Sequence, residues 1–296
     1  MRFAELAKRN FKEVWRDPLS LALTIGLPVL MLVVLQALGG VDEFFKATSL
    51  APGIALFGFV MLMFSAAMTI SRDRESALFS RLLTTPLRSS DFVAGYSVPY
   101  LPVALIQAAV IFGIGVLFGL EVAGSILLVI LVLLLVAILF IALGMIIGAL
   151  FTFKQVPFAY MVILLLAIFG GAWVDIEAIG GVFKTVGDLF PFAHALDAAR
   201  DVMLDGAGIG DIAGDLYWVL GYTVVIVGLA VLAFPIGFVL SYVILGLLFY
   251  AIITPIGLVL RVLGRDPLDR RLRPQAESYW VASRPPRPKE SYFRQF

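Results

Sequence analysis

Six stretches of this chain contain no Asp, Glu, Lys or Arg and are long enough to cross a lipid bilayer: residues 18–39, 49–71, 92–120, 122–153, 155–174 and 216–260. A hydrocarbon core about 30 Å thick needs about 20 apolar residues of helix. A helix meets its backbone hydrogen bonds within one segment, which an open strand in lipid cannot do. The expected fold is therefore all-α and polytopic, with six transmembrane helices. The last run, 45 residues long, holds two spans' worth if Pro235 and Gly237 turn the chain. Composition agrees: 61% of the 296 residues are hydrophobic and 15% charged, where soluble domains have about 45–50% and about 25%.

Several function classes recede on the same count. A net charge of +1 argues against nucleic acid as a partner, because phosphate binding needs a basic excess. With no cysteine and one histidine, His194, thiolate chemistry and multi-histidine metal sites have no residues to use, and no cofactor is expected. No GxxxxGK[ST] phosphate loop occurs. The uncharged runs also hold no acid or base on which an ion-coupled carrier could run. Gln107 is among the few polar groups at depth. Gly113, Gly115, Gly119, Gly144 and Gly148 permit close helix packing, within the chain or at a dimer seam.

Cations fix an expected orientation. Five Lys/Arg precede the first run, four lie at positions 72–88 and Lys154 follows the fourth, ten in all; Lys46, Lys184 and Arg200 make three on the other side. By the positive-inside rule the amino terminus is cytoplasmic. Residues 175–215 carry eight acids, as an external hydrated segment would, and Trp15, Trp173 and Tyr217–Trp218 fall at span ends where aromatic belts form.

Three polar segments invite functional readings. Residues 3–16, FAELAKRNFKEVWR, place Phe3, Leu6, Ala7, Phe11, Val14 and Trp15 on one helical face, as an in-plane interfacial helix would. Asp17-Pro18 then supplies an N-cap and a first helical proline for the first span. This helix is either an anchor or a contact surface for a cytoplasmic partner. In SRDRESALFSRLLTTPLRSSD, residues 71–91, Ala77, Leu78, Leu82 and Leu83 recur at helical spacing beside Arg72, Asp73, Arg74, Glu75, Arg81 and Arg88, and Pro86 closes the pattern. Such a loop is either a solvated connector or a helix that docks in a partner's groove. The outer segment is broken by glycines and Pro191; it is expected to form re-entrant half-helices bearing His194 and Arg200, with His194 read as an interfacial side chain rather than a metal ligand.

RNFKEVWRDPLSLALTIGLPVLML, the stretch LAPGIALFGF to YLPVALIQA around the 71–91 loop, and LFPFAHALDAARDVMLDGAG together resemble the ABC-2 type transporter permeases over residues 1–238. Ala77, where the family often has glycine, and Val174-Asp175, where it has a proline-led turn, are departures. The resemblance implies a plasma-membrane permease half, paired with a second half as homo- or heterodimer and with cytosolic ATP-binding cassette subunits, that exports a lipid, drug or lipid-linked glycan by alternating access. The chain would not itself be an enzyme. It also implies an elbow helix at 3–16, with Phe3, Phe11 and Trp15, and a coupling helix at 73–84, with Arg74, Glu75, Leu78, Arg81 and Leu82. Pro191, His194 and Arg200 fall in the outer re-entrant segment.

Residues 241–296, with TPIG, GRDPL, SYW and YFRQF, are similar to the end of the SxtJ-like family of small membrane proteins. Three parts are therefore expected: a permease domain at 1–238, a hydrophobic segment at 239–264 that is either re-entrant or a seventh span, and a basic tail at 265–296. Nine Lys/Arg against four acids after position 260 favour a tail kept inside. The competing function is a non-transporting membrane scaffold that recruits partners through its inner loop and tail.

Overall fold

The computed structural model describes residues 3–38, 46–76, 82, 87–169, 171 and 180–262. They are helical, with no strand among the described residues. The chain divides into two compact units, Met1–Ser241 and Tyr242–Phe296.

In the first unit, α1 (Ala4–Trp15) precedes a first span built from α2 (Pro18–Leu21), a π-helical turn (Ala22–Gly26) and α3 (Leu27–Leu38). The expected start is present: the Asp17 side chain accepts a hydrogen bond from Ser20 N at 3.1 Å, and Pro18 is the first helical residue. Next come α4 (Ala47–Arg74), α5 (Ser89–Ser97), α6 (Tyr100–Leu117), α7 (Ile126–Leu150) and α8 (Val156–Phe169). The outer segment forms α9 (Gly181–Gly187) and α10 (Pro191–Leu204), and α11 (Ala213–Leu248) follows.

Among the described residues, five helices are long and apolar enough to cross a membrane: Pro18–Ala37, Ala47–Arg74, Ser89–Leu117, Ile126–Leu150 and Ala213–Ala233. In the place of the remaining expected span, α8 has 14 residues, about 21 Å of helix. It ends at Phe169, and residues 172–179 lie outside the described residues.

The second span, α4, is the hub. Of its apolar window 72% is buried, against 17–50% in the other four candidates, because α3, α6, α7, α8 and α10 all pack on it. Small residues set these distances. A side chain at Gly144 would meet Met63 O at 2.6 Å, and one at Gly148 would meet Ile70 Cβ at 2.7 Å. The 144/148 pair thus serves packing of α7 on α4 within the chain. Gly58 admits the Gln107 amide, whose Nε2 donates to Ala55 O at 3.2 Å. Gln107 is fully buried and its Oε1 has no partner among the described residues.

The outer helix α10 lies alongside α7. Phe192 stacks on Phe140 with centroids 5.0 Å apart, while at the other end Met203 O accepts from Ala123 N at 2.9 Å. From Ile126 to Phe140 is about 21 Å along α7, so α10 packs along roughly half of that helix.

At the far end, α11 passes through Pro235 and Gly237, where the sequence reading placed a turn. Membrane helices tolerate an interior proline when the freed carbonyl finds other partners. The second unit contains a π-helical turn (Phe249–Ile253) and α12 (Thr254–Val262), joined by Thr254 Oγ1 donating to Phe249 O at 2.9 Å.

Candidate functional site at the base of the second span

The last turn of α4 carries Asp73, which is 5% exposed despite its charge. Burying a carboxylate is costly unless it is paired and hydrogen-bonded. Arg9 of α1 supplies the pairing: Nη2 donates to Asp73 Oδ1 at 3.0 Å, and Nη1 reaches Oδ2. This is the two-pronged arginine–carboxylate geometry. Tyr96 of α5 donates its hydroxyl to the same Oδ2 at 2.7 Å. The Asp73 hydrogen bond, with the Asp73 and Glu13 charges, holds the Arg9 guanidinium above its ordinary pKa against partial burial.

Neighbouring contacts fasten α1 to α5. Asn10, also buried, donates from Nδ2 to Gly95 O at 3.1 Å. Leu6 lies so close to Gly95 that a Cβ there would be 2.7 Å from Leu6 Cδ2. The buried stripe of α1 is therefore Leu6, Asn10 and Val14. Phe11 and Trp15, expected on that face, are 43% and 40% exposed, with rings 5.6 Å apart. Phe3 is half-buried at the helix start. A cavity of about 40 Å³ opens beside this cluster, lined among others by Glu13, Asp17, Thr24, Thr69, Arg72 and Tyr100.

The residues flanking Asp73 grip a different element. Glu75 Oε1 accepts from Phe153 N at 2.8 Å, Arg74 Nη2 donates to Phe151 O at 3.3 Å, and Arg72 lies over the Phe153 ring at 5.5 Å. All three hold the turn between α7 and α8. Leu82 is half-buried against the core. Leu78 and Arg81 lie outside the described residues.

On the opposite side, Pro191 opens α10. His194 Nδ1 is 2.7 Å from Asp215 Oδ1, and Nε2 is 3.0 Å from Asp188 O, with the ring stacked on Trp218 at 5.2 Å. Both ring nitrogens face oxygen atoms. Arg200 donates to Ser49 O at 3.3 Å and Gly171 O at 3.1 Å, tying α10 to the start of α4 and the end of α8. His194 and Arg200 thus tie α10 to neighbouring helices, while Pro191 starts it. Among the described residues no acidic, histidine or cysteine cluster could hold a metal ion.

The Arg9–Asp73–Tyr96 triad is absent from the sequence-based site. Arg9 and Asp73 read there as members of solvated charged faces, and nothing in local periodicity pairs residues from two segments so far apart.

A buried central span with an amphipathic helix fastened to its base, among helices long and apolar enough to cross a membrane, makes this a polytopic membrane domain. The chain belongs to the ABC-2 type transporter family, whose model matches residues 1–204. Similar proteins include the ABC transporter G family member 20 of Dictyostelium discoideum, 26% identical over 54% of this chain and 22% of that protein. The probable multidrug ABC transporter permease YbhR of Escherichia coli K12 is 25% identical over 56% of this chain and 46% of its own length. The linearmycin resistance permease protein LnrN of Bacillus subtilis is 24% identical over 56% and 44%. The matched part spans less than half the length of each. The family match stops short of residue 238 and does not reach residues 241–296, whose likeness to the SxtJ-like family is not shown.

Proposed function

We propose that this chain is the permease half of an ATP-driven exporter, working with a second half and with cytosolic ATP-binding subunits. The carrying observation is the Arg9–Asp73–Tyr96 cluster. A partner pushing on the 73–84 segment acts on the end of α4, where Asp73 is held to α1 by Arg9 and to α5 by Tyr96. Buried charge pairs resist separation because either partner alone is left uncompensated, so these three elements move as one. Glu75 passes the same displacement to the α7–α8 turn through Phe153 N.

In this reading Arg74, Glu75, Leu78, Arg81 and Leu82 form the coupling segment, and Phe3, Phe11 and Trp15 seat the elbow helix in the headgroup layer. The amino terminus is cytoplasmic and the membrane is the plasma membrane. Residues 1–238 act as the permease domain, 239–264 as a further hydrophobic segment and 265–296 as a basic tail. The names of the multidrug and linearmycin-resistance relatives support a drug as substrate, with a lipid or lipid-linked glycan as the alternatives, moved by alternating access.

Co-purification of the full chain with an ATP-binding subunit, followed by reconstitution into vesicles, tests this. ATP turnover that rises with this chain and accompanies uptake of a fluorescent amphiphile into inverted vesicles is expected. A chain that binds no ATPase overturns the reading in favour of a scaffold.

A further inference from the structure

Between α6 and α7 lies a groove of about 560 Å³ whose lining residues are all apolar. Phe59 of α4 is among the lining residues, and the smallest of them are Gly113, Ala104, Ala108, Ala109 and Ala137. A Cβ on Gly113 would meet nothing within 4 Å. From Ala104 to Val116 the groove follows α6 for about 18 Å. Half of a hydrocarbon core is about 15 Å, so the groove has the length of one leaflet. It lies toward the ends of α6 and α7 remote from α1.

A lining free of polar side chains over the length of one leaflet suits an extended hydrocarbon chain. With no polar group in the lining, a headgroup has to stay at the open end, in the connection between the two helices. There Leu120 and Val122 line the groove and Glu121 stands between them, its N–H donating to Thr48 Oγ1 at 3.1 Å. A carboxylate at the mouth attracts a quaternary ammonium and repels an anionic head.

We propose that this groove holds one acyl chain of a zwitterionic phospholipid from the leaflet remote from α1, with the headgroup beside Glu121. The site needs only that the chain crosses a bilayer; it does not depend on the export reading.

The test counts phosphatidylcholine held by the purified full chain, by mass spectrometry under non-denaturing conditions from detergent micelles. One retained phosphatidylcholine per chain is expected, with phosphatidylglycerol held several-fold less. Gly113→Leu and Ala109→Leu each fill the groove and are expected to lower retention at least tenfold. Val224→Leu, on the exposed face of α11, leaves it unchanged. Glu121→Gln removes the preference between the two lipids. Circular dichroism identifies a filled variant that misfolds, and the other then decides. Equal retention in a folded, filled variant overturns the site. So does a lipid-free dimer that these substitutions dissociate, which would make the groove an interface between copies. Equal binding of both lipids to the unsubstituted chain overturns the headgroup assignment.

Discussion

The Arg9 guanidinium lies against the Asp73 carboxylate, Nη2 to Oδ1 at 3.0 Å, although 64 residues separate them in sequence. The pair joins the amphipathic first helix to the end of the most buried span, and Tyr96 adds a third element on the same carboxylate. Asp73 is buried while Arg9 is about one-third exposed, so the two sides of the pair are not equivalent.

That asymmetry orders the variants. Arg9→Met leaves a buried carboxylate with Tyr96 as its remaining side-chain partner among the described residues, the case in which breaking a buried pair costs about 3–5 kcal/mol. Asp73→Asn leaves Arg9 with access to water and keeps an acceptor for Tyr96, so its cost is expected to be smaller. Thermal unfolding of the purified protein should therefore rank Arg9→Met below Asp73→Asn. The double variant should lie above the sum of the two losses. The reverse ranking would remove the buried-charge account.

Coupling is tested by Glu75→Gln with Arg81→Gln. Glu75 accepts from Phe153 N and Arg81 belongs to the proposed docking segment, while neither lies within an apolar span. The double variant is expected to insert normally and to retain ATP turnover in the bound partner, with transport reduced at least tenfold. Vesicles measuring turnover and uptake in parallel check this. Unchanged transport per ATP would withdraw these residues from the coupling segment.

Elements that depend on local pattern were legible in the sequence. The uncharged runs locate the spans because lipid penalises charge wherever it falls, and Asp17-Pro18 marks a helix start by its own hydrogen bonding. Long-range pairing was not legible. Arg9 and Asp73 each look like surface residues until α1 and α4 are placed side by side. Phe11 and Trp15 share an apolar arc with Leu6 and Val14, but only the packing on α5 decides which part of that arc is buried, and it selects the stripe containing Asn10. Arg74 and Glu75 carried a mixed-charge docking pattern, yet their visible partners belong to the α7–α8 turn. Pro235 signalled a turn by its missing N–H, and the helix continues through it.

Gly58 and Gln107 form a close fit that complementation can expose. A Cβ at position 58 would overlap the Gln107 amide. Gly58→Ala is expected to cost about 1–3 kcal/mol by overpacking. Gln107→Ala removes the obstructing amide together with an unpaired buried oxygen. The double variant should therefore melt higher than Gly58→Ala alone. If Gln107→Ala deepens the loss instead, the amide is not what crowds Gly58.

On the opposite side, His194→Phe separates stacking from hydrogen bonding. The phenyl ring keeps the Trp218 contact but loses Asp215 and Asp188 O. A loss of about 1.5 kcal/mol is expected, the low end for bonds to charged groups because His194 and Asp215 are partly exposed. His194→Ala should cost more, since it removes the stack as well. Equal melting temperatures for the two variants would show that the ring face contributes nothing.

The basic tail supplies the final prediction. The sequence has no cysteine, so one introduced at Ser283 gives a single reporter of sidedness. Positive charge near a span favours the cytoplasmic face, and the tail at 265–296 carries eight Lys/Arg against four acids. A membrane-impermeant maleimide should therefore label Ser283→Cys in inverted vesicles and leave it unlabelled in intact cells. A second reporter, Phe3→Cys on the amphipathic first helix, should follow the same pattern. If Phe3→Cys labels from inside and Ser283→Cys from outside, the hydrophobic segment at 239–264 crosses the bilayer, and the tail's charge does not govern its placement.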